Sequence, residues 1–206
     1  MDRPKTDRRI IRTKKMIRDA LTKLILKKGF EGLTVRDITE LANINRGTFY
    51  LHYRDKYDLL EKCEMEIIEE LKKIRIQTFL SQKDFRKNRQ LMNQPSPYMV
   101  KLLECVKEHS ELMTVLLGPK GDPSFHVKLK KEMMENMERL IKEHRASLPA
   151  TVPIDYISAI SISSQLGVIQ HWLDTGMKQS PIEVATYMRK FVFGNVYSDE
   201  QNKKSD

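Results

Sequence analysis

Along residues 6–28 the apolar positions Ile17, Ala20, Leu21, Leu24 and Ile25 recur three and four apart, with Lys and Arg between them. That period puts one apolar stripe on a helix from about Thr6 to Lys28, and Gly29 supplies the left-handed residue that stops it. Phe30 then folds back onto the stripe. Thr34, with Asp37 three residues later, forms a capping-box-like pair that opens a short second helix with Val35, Ile38, Leu41 and Ala42 inside. Asn45 caps a third helix through the amides of Gly47 or Thr48, and this helix ends near Tyr53. Asp55 with Asp58 starts a long fourth helix carrying Leu59, Leu60, Cys63, Ile67, Leu71 and Ile74 towards Phe79.

Beyond a polar, proline-bearing linker over 81–97, a second helical body begins. Tyr98, Met99, Leu102, Leu103 and Val106 mark a helix ending near His109, and a short helix follows over 110–117. Ser124 is expected to cap an amphipathic helix striped by Phe125, Leu129, Met133, Met137, Leu140, Ile141 and His144. Residues 154–175 read as a helix apolar on more than one face, hence buried on several sides, with Gly176 as its stop. Ser180, Pro181 and Glu183 give the clearest helix start in the chain, and this last helix is expected to end at Gly194, leaving 197–206 frayed. No sustained two-residue alternation bounded by turns occurs, so the expected class is all-α. The expected division is a helix-turn-helix domain over 1–70 (reading motif 33–53), joined by the long helix to a C-terminal regulatory and dimerisation domain over 71–206.

The segment 34–53 has the spacing of a helix-turn-helix, in which the second helix enters the major groove and the first crosses the phosphate backbone. The inserted helix would present Arg46, Gly47, Thr48, Tyr50, Leu51 and His52 outwards and Phe49 inwards. Arg46 suits a bidentate contact to guanine, Thr48 and Leu51 suit a thymine methyl, and Gly47 permits close backbone approach. Thr34, Arg36, Tyr50, Tyr53 and Lys56 are assigned to phosphates, Lys56 at the positive end of the fourth helix. Each has an ordinary alternative: Tyr50 and Tyr53 as core aromatics, His52 as a surface histidine, Arg36 and Lys56 as solvated charges.

The runs Leu33-Thr-Val-Arg-Asp-Ile-Thr-Glu-Leu-Ala42, Asn45-Arg-Gly-Thr-Phe-Tyr-Leu-His-Tyr53 and Asp55-Lys-Tyr-Asp-Leu-Leu60 resemble the DNA-binding domain of the TetR/AcrR family of bacterial regulators. The resemblance covers about residues 10–70. It implies an all-helical homodimer whose variable C-terminal domain receives an inducer that alters DNA affinity. The family commonly has Gly-Val-Ser where this chain has Asn43, Ile44 and Asn45; asparagine tolerates the left-handed conformation, so the turn is expected to survive. The stretches 116–125 and 171–177, the latter followed by Ser180 and Pro181, are similar to the branch related to the activator of dihydroxyacetone kinase genes. That branch warns against assuming repression.

Net charge is +9, and its placement matters more than its size. Residues 1–60 carry 15 Lys and Arg against 8 Asp and Glu, so the excess sits beside the reading motif, as a footprint for a polyanion would. With 40% hydrophobic and 32% charged residues and no run of about 18 apolar positions, no membrane contact is expected. The basic start lacks a signal-peptide core, so a cytoplasmic location is expected. Cys63 and Cys105 read as reduced, half-buried thiols, and His109, His126, His144 and His171 show no ligand spacing, so neither metal nor cofactor is expected. With no phosphate-cradling glycine loop or nucleophile elbow, the chain is not expected to be an enzyme.

Three partners follow: a double-stranded operator, palindromic because the reader is two-fold; a second copy of the chain; and a small apolar or amphipathic effector. Small residues beside branched ones on the eighth and ninth helices, Ser161, Ser164, Gly167 and Val168 with Val184, Met188 and Phe191, suggest the dimer face. Methionine and aromatic linings suggest an effector pocket among Tyr98, Leu102, Met113, Met133, Met137, Gln165 and Trp172, although such a stripe is also what plain core looks like. The sequence-level reading is a repressor released by a small ligand; the rival is an activator, or a regulator answering a protein partner.

Overall fold

The computed structural model describes residues 6–85, 94–119, 122–144 and 153–202, with side chains over 8–78, 94–119, 124–135 and 153–191 and at 122. All the regular elements among them are helices: α1 (Thr6–Lys28), α2 (Val35–Leu41), α3 (Arg46–Tyr50), α4 (Lys56–Phe85), α5 (Pro97–Glu108), α6 (Ser110–Leu117), α7 (Pro123–His144), α8 (Ile154–Asp174) and α9 (Pro181–Asn202). None is long and apolar enough to cross a membrane.

The punctuation read from the sequence has its physical counterpart. Gly29 and Gly176 adopt φ of +76° and +77°, the left-handed stops after α1 and α8. Thr34 and Asp37 exchange both bonds of a capping box, and Ser180 does the same with Glu183, with Pro181 at the first helical position. Four boundaries differ. α3 ends at Tyr50, three residues before the expected Tyr53. α7 opens two residues early, at Pro123, and its cap is Asp122 in place of Ser124; the Asp122 carboxylate accepts from the Ser124 amide at 2.8 Å and the Ser124 hydroxyl at 2.6 Å. α4 continues to Phe85. α9 does not end at Gly194 but continues to Asn202, because a glycine inside a helix costs only about 1 kcal/mol against alanine.

The chain divides into two compact units, Met1–Ile68 with Glu111–His126, and Glu69–Ser110 with Val127–Asp206. In the first, α1 packs on α2 and α2 on α3. Ile17, Leu21 and Ile25 of α1, Ile38 of α2, Phe49 of α3 and Leu59 of α4 are all fully buried, each contributing roughly 1.5–3 kcal/mol by leaving water. Leu41, expected on the inner face of α2, is half exposed instead. The same unit buries Met113 and Leu116 of α6 and Phe125 of α7. In the second unit α9 packs on α5 and α8 through Val184, Ala185 and Met188. α8 is not buried on several sides. Ser158, Ile162, Ile169, Trp172 and Leu173 face inwards, and Tyr156, Ile160, Ser163, Gly167 and His171 form an exposed stripe.

Candidate nucleic-acid interface

A four-residue corner, 42–45, separates α2 from α3. Asn43 takes φ +52°, so asparagine supplies the left-handed residue the turn needs. The Ile44 amide donates to the Thr39 carbonyl at 3.0 Å, and the Asn45 side chain accepts from the Gly47 amide at 2.9 Å, fixing where α3 begins. Phe49 anchors α3 from beneath with no exposure, its ring edge-on to Tyr50 at 5.5 Å. A helix of five residues has too few internal bonds to stand alone, so this anchor and cap are what hold its outer edge in place.

That outer edge is open. Arg46 and Gly47 are exposed, Tyr50 is 56% and Leu51 80% exposed, and Thr48 and His52 are partly covered. Arg46 makes no hydrogen bond or ion pair within the described residues. An uncommitted guanidinium at the start of α3 and an 80% exposed leucine just past its end set a hydrogen-bond donor and an apolar surface on one edge, the two kinds of contact that read base edges in the major groove. Exposed Arg8, Arg9, Arg12, Lys14 and Lys15 on α1 supply positive charge in the same unit.

The residues assigned to phosphates divide. The Thr34 hydroxyl donates to Asp37 at 2.7 Å and accepts from the Asp37 amide, so its first task is the cap. Lys28, 2.8 Å from Asp37, and the bonds from Thr34 hold that carboxyl well below the usual carboxylate range. Arg36 is exposed and gives only Nε to Glu40, at 2.6 Å, which leaves its terminal nitrogens to solvent. Tyr53 is a correction: it is 5% exposed, its ring 5.6 Å from that of Phe49, and burial raises its hydroxyl pKa strongly. It is core, and Tyr50 is the outward aromatic.

Lys56 is the second correction. Its Nζ donates to the carbonyls of Phe30, Glu31 and Leu33 at 3.1, 3.1 and 3.2 Å, and lies 4.9 Å from the Phe30 ring centre. An ammonium has three donors, and all three are engaged. Lys56 therefore clamps the α1–α2 loop to the start of α4 rather than offering a free charge.

A polar lock beside α3 escaped the sequence reading. Asp58 accepts from the Arg54 amide at 2.9 Å and from Lys62 at 2.8 Å, and Lys62 also donates to the His52 carbonyl at 3.0 Å. Those bonds, Lys62 first, pull the Asp58 carboxyl down to about 2. The lock ties the chain leaving α3 to the first turns of α4. Its signal was the 54, 58, 62 spacing of alternating charge.

In the second unit, Leu102, Met133 and Trp172 are buried and Tyr98 and Gln165 partly so. Trp172 donates its indole N–H to the Gln179 carbonyl at 3.0 Å. Met113 belongs to the first unit, and the Met137 side chain lies outside the described residues. Burial pushes the Tyr98 hydroxyl up to about 12, with the Arg75 charge opposing. Arg75 lies 3.8 Å from Glu132, and its Nε is buried with no hydrogen-bond partner among the described residues. Of the suggested dimer residues, Val184 and Met188 are buried within the single chain, a correction that follows from their packing on α5. Gly167 and Phe191 are exposed, and Ser161, Ser164 and Val168 are intermediate. Tyr156 and Ile160 of α8 and Ile182 and Tyr187 of α9 are each more than half exposed.

A short anchored helix with a bare basic edge, set by a tight corner against a helix beneath it, followed by a separate helical unit, is the build of a helix-turn-helix transcription regulator. Residues 17–63 match the model of bacterial regulatory proteins of the tetR family, and residues 93–194 that of a transcriptional regulator C-terminal region. The chain belongs to the TetR family of bacterial transcriptional regulators.

Among curated relatives it is similar to YxbF, an uncharacterized HTH-type transcriptional regulator of Bacillus subtilis (strain 168). Identity is 45% over 56 residues, 27% of this chain and 15% of the relative. YvkB of the same organism and description is 37% identical over 49 residues, 24% of this chain and 26% of the relative. The matches thus span about a quarter or less of those relatives' length. Among solved structures, a TetR transcriptional regulator from Streptococcus agalactiae 2603V is 25% identical, with a TM-score of 0.59 over 91% of this chain and 97% of its own. The dihydroxyacetone kinase operon activator DhaS shares the fold at 15% identity, TM-score 0.57, over 90% and 96%. The fatty acid degradation regulator FadR from Bacillus halodurans does so at 18%, TM-score 0.65, over 88% and 95%.

Proposed function

We propose that this chain is a sequence-specific, duplex-DNA-binding repressor that acts as a homodimer and leaves its operator when a small amphipathic molecule occupies the C-terminal unit. The observation that carries the reading is the outer edge of α3, where an unpaired, exposed Arg46 stands beside Gly47, Thr48, Tyr50 and Leu51. Arg46 reads guanine, Thr48 and Leu51 meet a thymine methyl, and Tyr50 with the free end of Arg36 holds phosphate. Lys56 and the Asp58 lock position α3 without touching DNA, and Thr34 caps α2.

The homodimer is supported by the exposed stripes on α8 and α9: Tyr156, Ile160 and Gly167 on one, Ile182, Tyr187 and Phe191 on the other. Adjacent apolar stripes of this kind on a monomer are the usual mark of a partner surface. Two-fold pairing presents two α3 edges to successive turns of duplex and calls for a palindromic site. Tyr98, Leu102, Met133, Met137, Gln165 and Trp172 are the proposed effector residues, with Arg75 beside Tyr98 for a polar end of the ligand. Repression is the proposed sign because a dimer covering two major-groove faces excludes other proteins from them; the activator DhaS shows that the fold also serves the opposite sign. A footprint of the chain on the DNA flanking its own gene tests the reading. Protection on one face, over two half-sites about one helical turn apart, supports it; uniform or absent protection overturns it.

A further inference from the structure

The second unit brings together three side chains of metal-ligand type that the sequence keeps far apart. Cys105 and His109 lie one helical turn apart at the end of α5, and Glu70 stands on α4, thirty-five positions before Cys105. One ligand atom from each lies within 4.8 Å of the other two. The His109 Nε2 is 3.0 Å from a Glu70 oxygen, and the Cys105 thiol donates a hydrogen bond to the same carboxylate. Cys105 is buried, His109 retains 16% and Glu70 41% of its side-chain exposure.

We propose that Glu70, Cys105 and His109 form a binding site for a zinc-like divalent transition-metal ion, joining α4 to α5 within the C-terminal unit. A four-coordinate ion at about 2.0–2.3 Å from each donor holds its ligands roughly 3.2–3.8 Å apart, so separations now within 4.8 Å need to close by no more than about 1–1.5 Å. One thiolate, one imidazole and one carboxylate select zinc and its neighbours over calcium or magnesium, which prefer all-oxygen shells. Three protein ligands leave a fourth position, open on the exposed side of Glu70, for water. On binding, the Cys105 S–H proton leaves to solvent and a sulfur–metal bond forms. The imidazole proton shifts through solvent from Nε2 to Nδ1, so that the freed His109 Nε2 lone pair and a Glu70 oxygen bind the ion in place of their mutual hydrogen bond, and no electron is transferred.

Cobalt(II) is the probe, because a thiolate–cobalt bond has a charge-transfer absorption and tetrahedral cobalt gives intense visible bands. Titration of the full chain with Co²⁺ should give both signals, saturating at one ion per chain and reversed by Zn²⁺. Glu70→Gln, at a partly exposed position where folding is not at stake, should weaken Co²⁺ binding by at least ~10-fold. Cys105→Ser should abolish the charge-transfer band with the helical circular dichroism intact, whereas Cys63→Ser in the other unit should keep it. Absence of the band from the wild type, its persistence in Cys105→Ser, or an unweakened Glu70→Gln overturns the site. The assay contains no DNA, so its outcome is independent of the operator-binding reading.

Discussion

Replacing Lys56 by methionine separates two roles that a lysine at the start of a helix can have. Methionine keeps about the same length and an apolar stem, and removes the ammonium, which lies over the rings of Phe30 and Tyr57. What is lost are the bonds to the carbonyls of Phe30, Glu31 and Leu33. A hydrogen bond to a charged group contributes about 1.5–3 kcal/mol when desolvated. The Glu31 carbonyl is exposed and regains water, and the other two are only partly covered, so the net cost is roughly 1–3 kcal/mol. At about 2–4 °C per kcal/mol for a chain of this size, the unfolding temperature should fall by roughly 2–12 °C. Because the clamp has no donor left for phosphate, the slope of log K against log salt should be unchanged, whereas loss of a phosphate contact would shrink it by about 0.9. The assays are thermal unfolding by circular dichroism and fluorescence anisotropy with duplex DNA over a salt series, well below the melting temperature. A variant that melts like wild type and loses about one unit of salt slope would refute the clamp.

At the corner before α3, Asn43→Gly should be neutral or stabilising and Asn43→Ala should cost about 1 kcal/mol, because alanine resists φ +52°; equal urea midpoints for the two would remove the backbone argument. The Asp58 carboxyl is depressed to about 2, below its unfolded value near 4, so its contribution is full above about pH 5 and lost as pH falls towards 2. Asp58→Asn should therefore unfold earlier than wild type at pH 7, by a margin that narrows by pH 3; a margin independent of pH contradicts the lock. Ile160→Glu combined with Phe191→Glu places charge on both exposed stripes, and light scattering should then report 24.2 kDa where the wild type reports twice that. A wild type already monomeric at micromolar concentration, or a variant still dimeric, rejects the α8–α9 interface.

Local chemistry was the part most legible in the sequence. Gly29, Gly176, the Thr34 and Ser180 caps and the left-handed Asn43 all act within a few residues, so pattern alone locates them. What needed the structure depends on packing between elements. Tyr50 and Tyr53 look alike in sequence, yet only Tyr53 lies one turn after buried Phe49 and goes in with it. Lys56 looks like any surface lysine until the α1–α2 loop brings three carbonyls to its ammonium. On α9, Val184 and Met188 go inward and Ile182, Tyr187 and Phe191 outward. This division is set by where α5 packs, and composition does not encode it. The Cys105–His109 spacing was on view, but its third member, Glu70, is supplied only when α4 and α5 come together.

The central claim is that the outer edge of α3 reads bases. Selection of binding sites from a random duplex library, run in parallel with the wild type and Arg46→Ala, tests it most directly. The wild type should enrich a two-fold symmetric site. The variant should lose preference at one base pair in each half-site, about 1–3 kcal/mol per contact if bidentate, with the remaining positions unchanged. Identical enriched sites from both proteins, or no enrichment by the wild type, would contradict it.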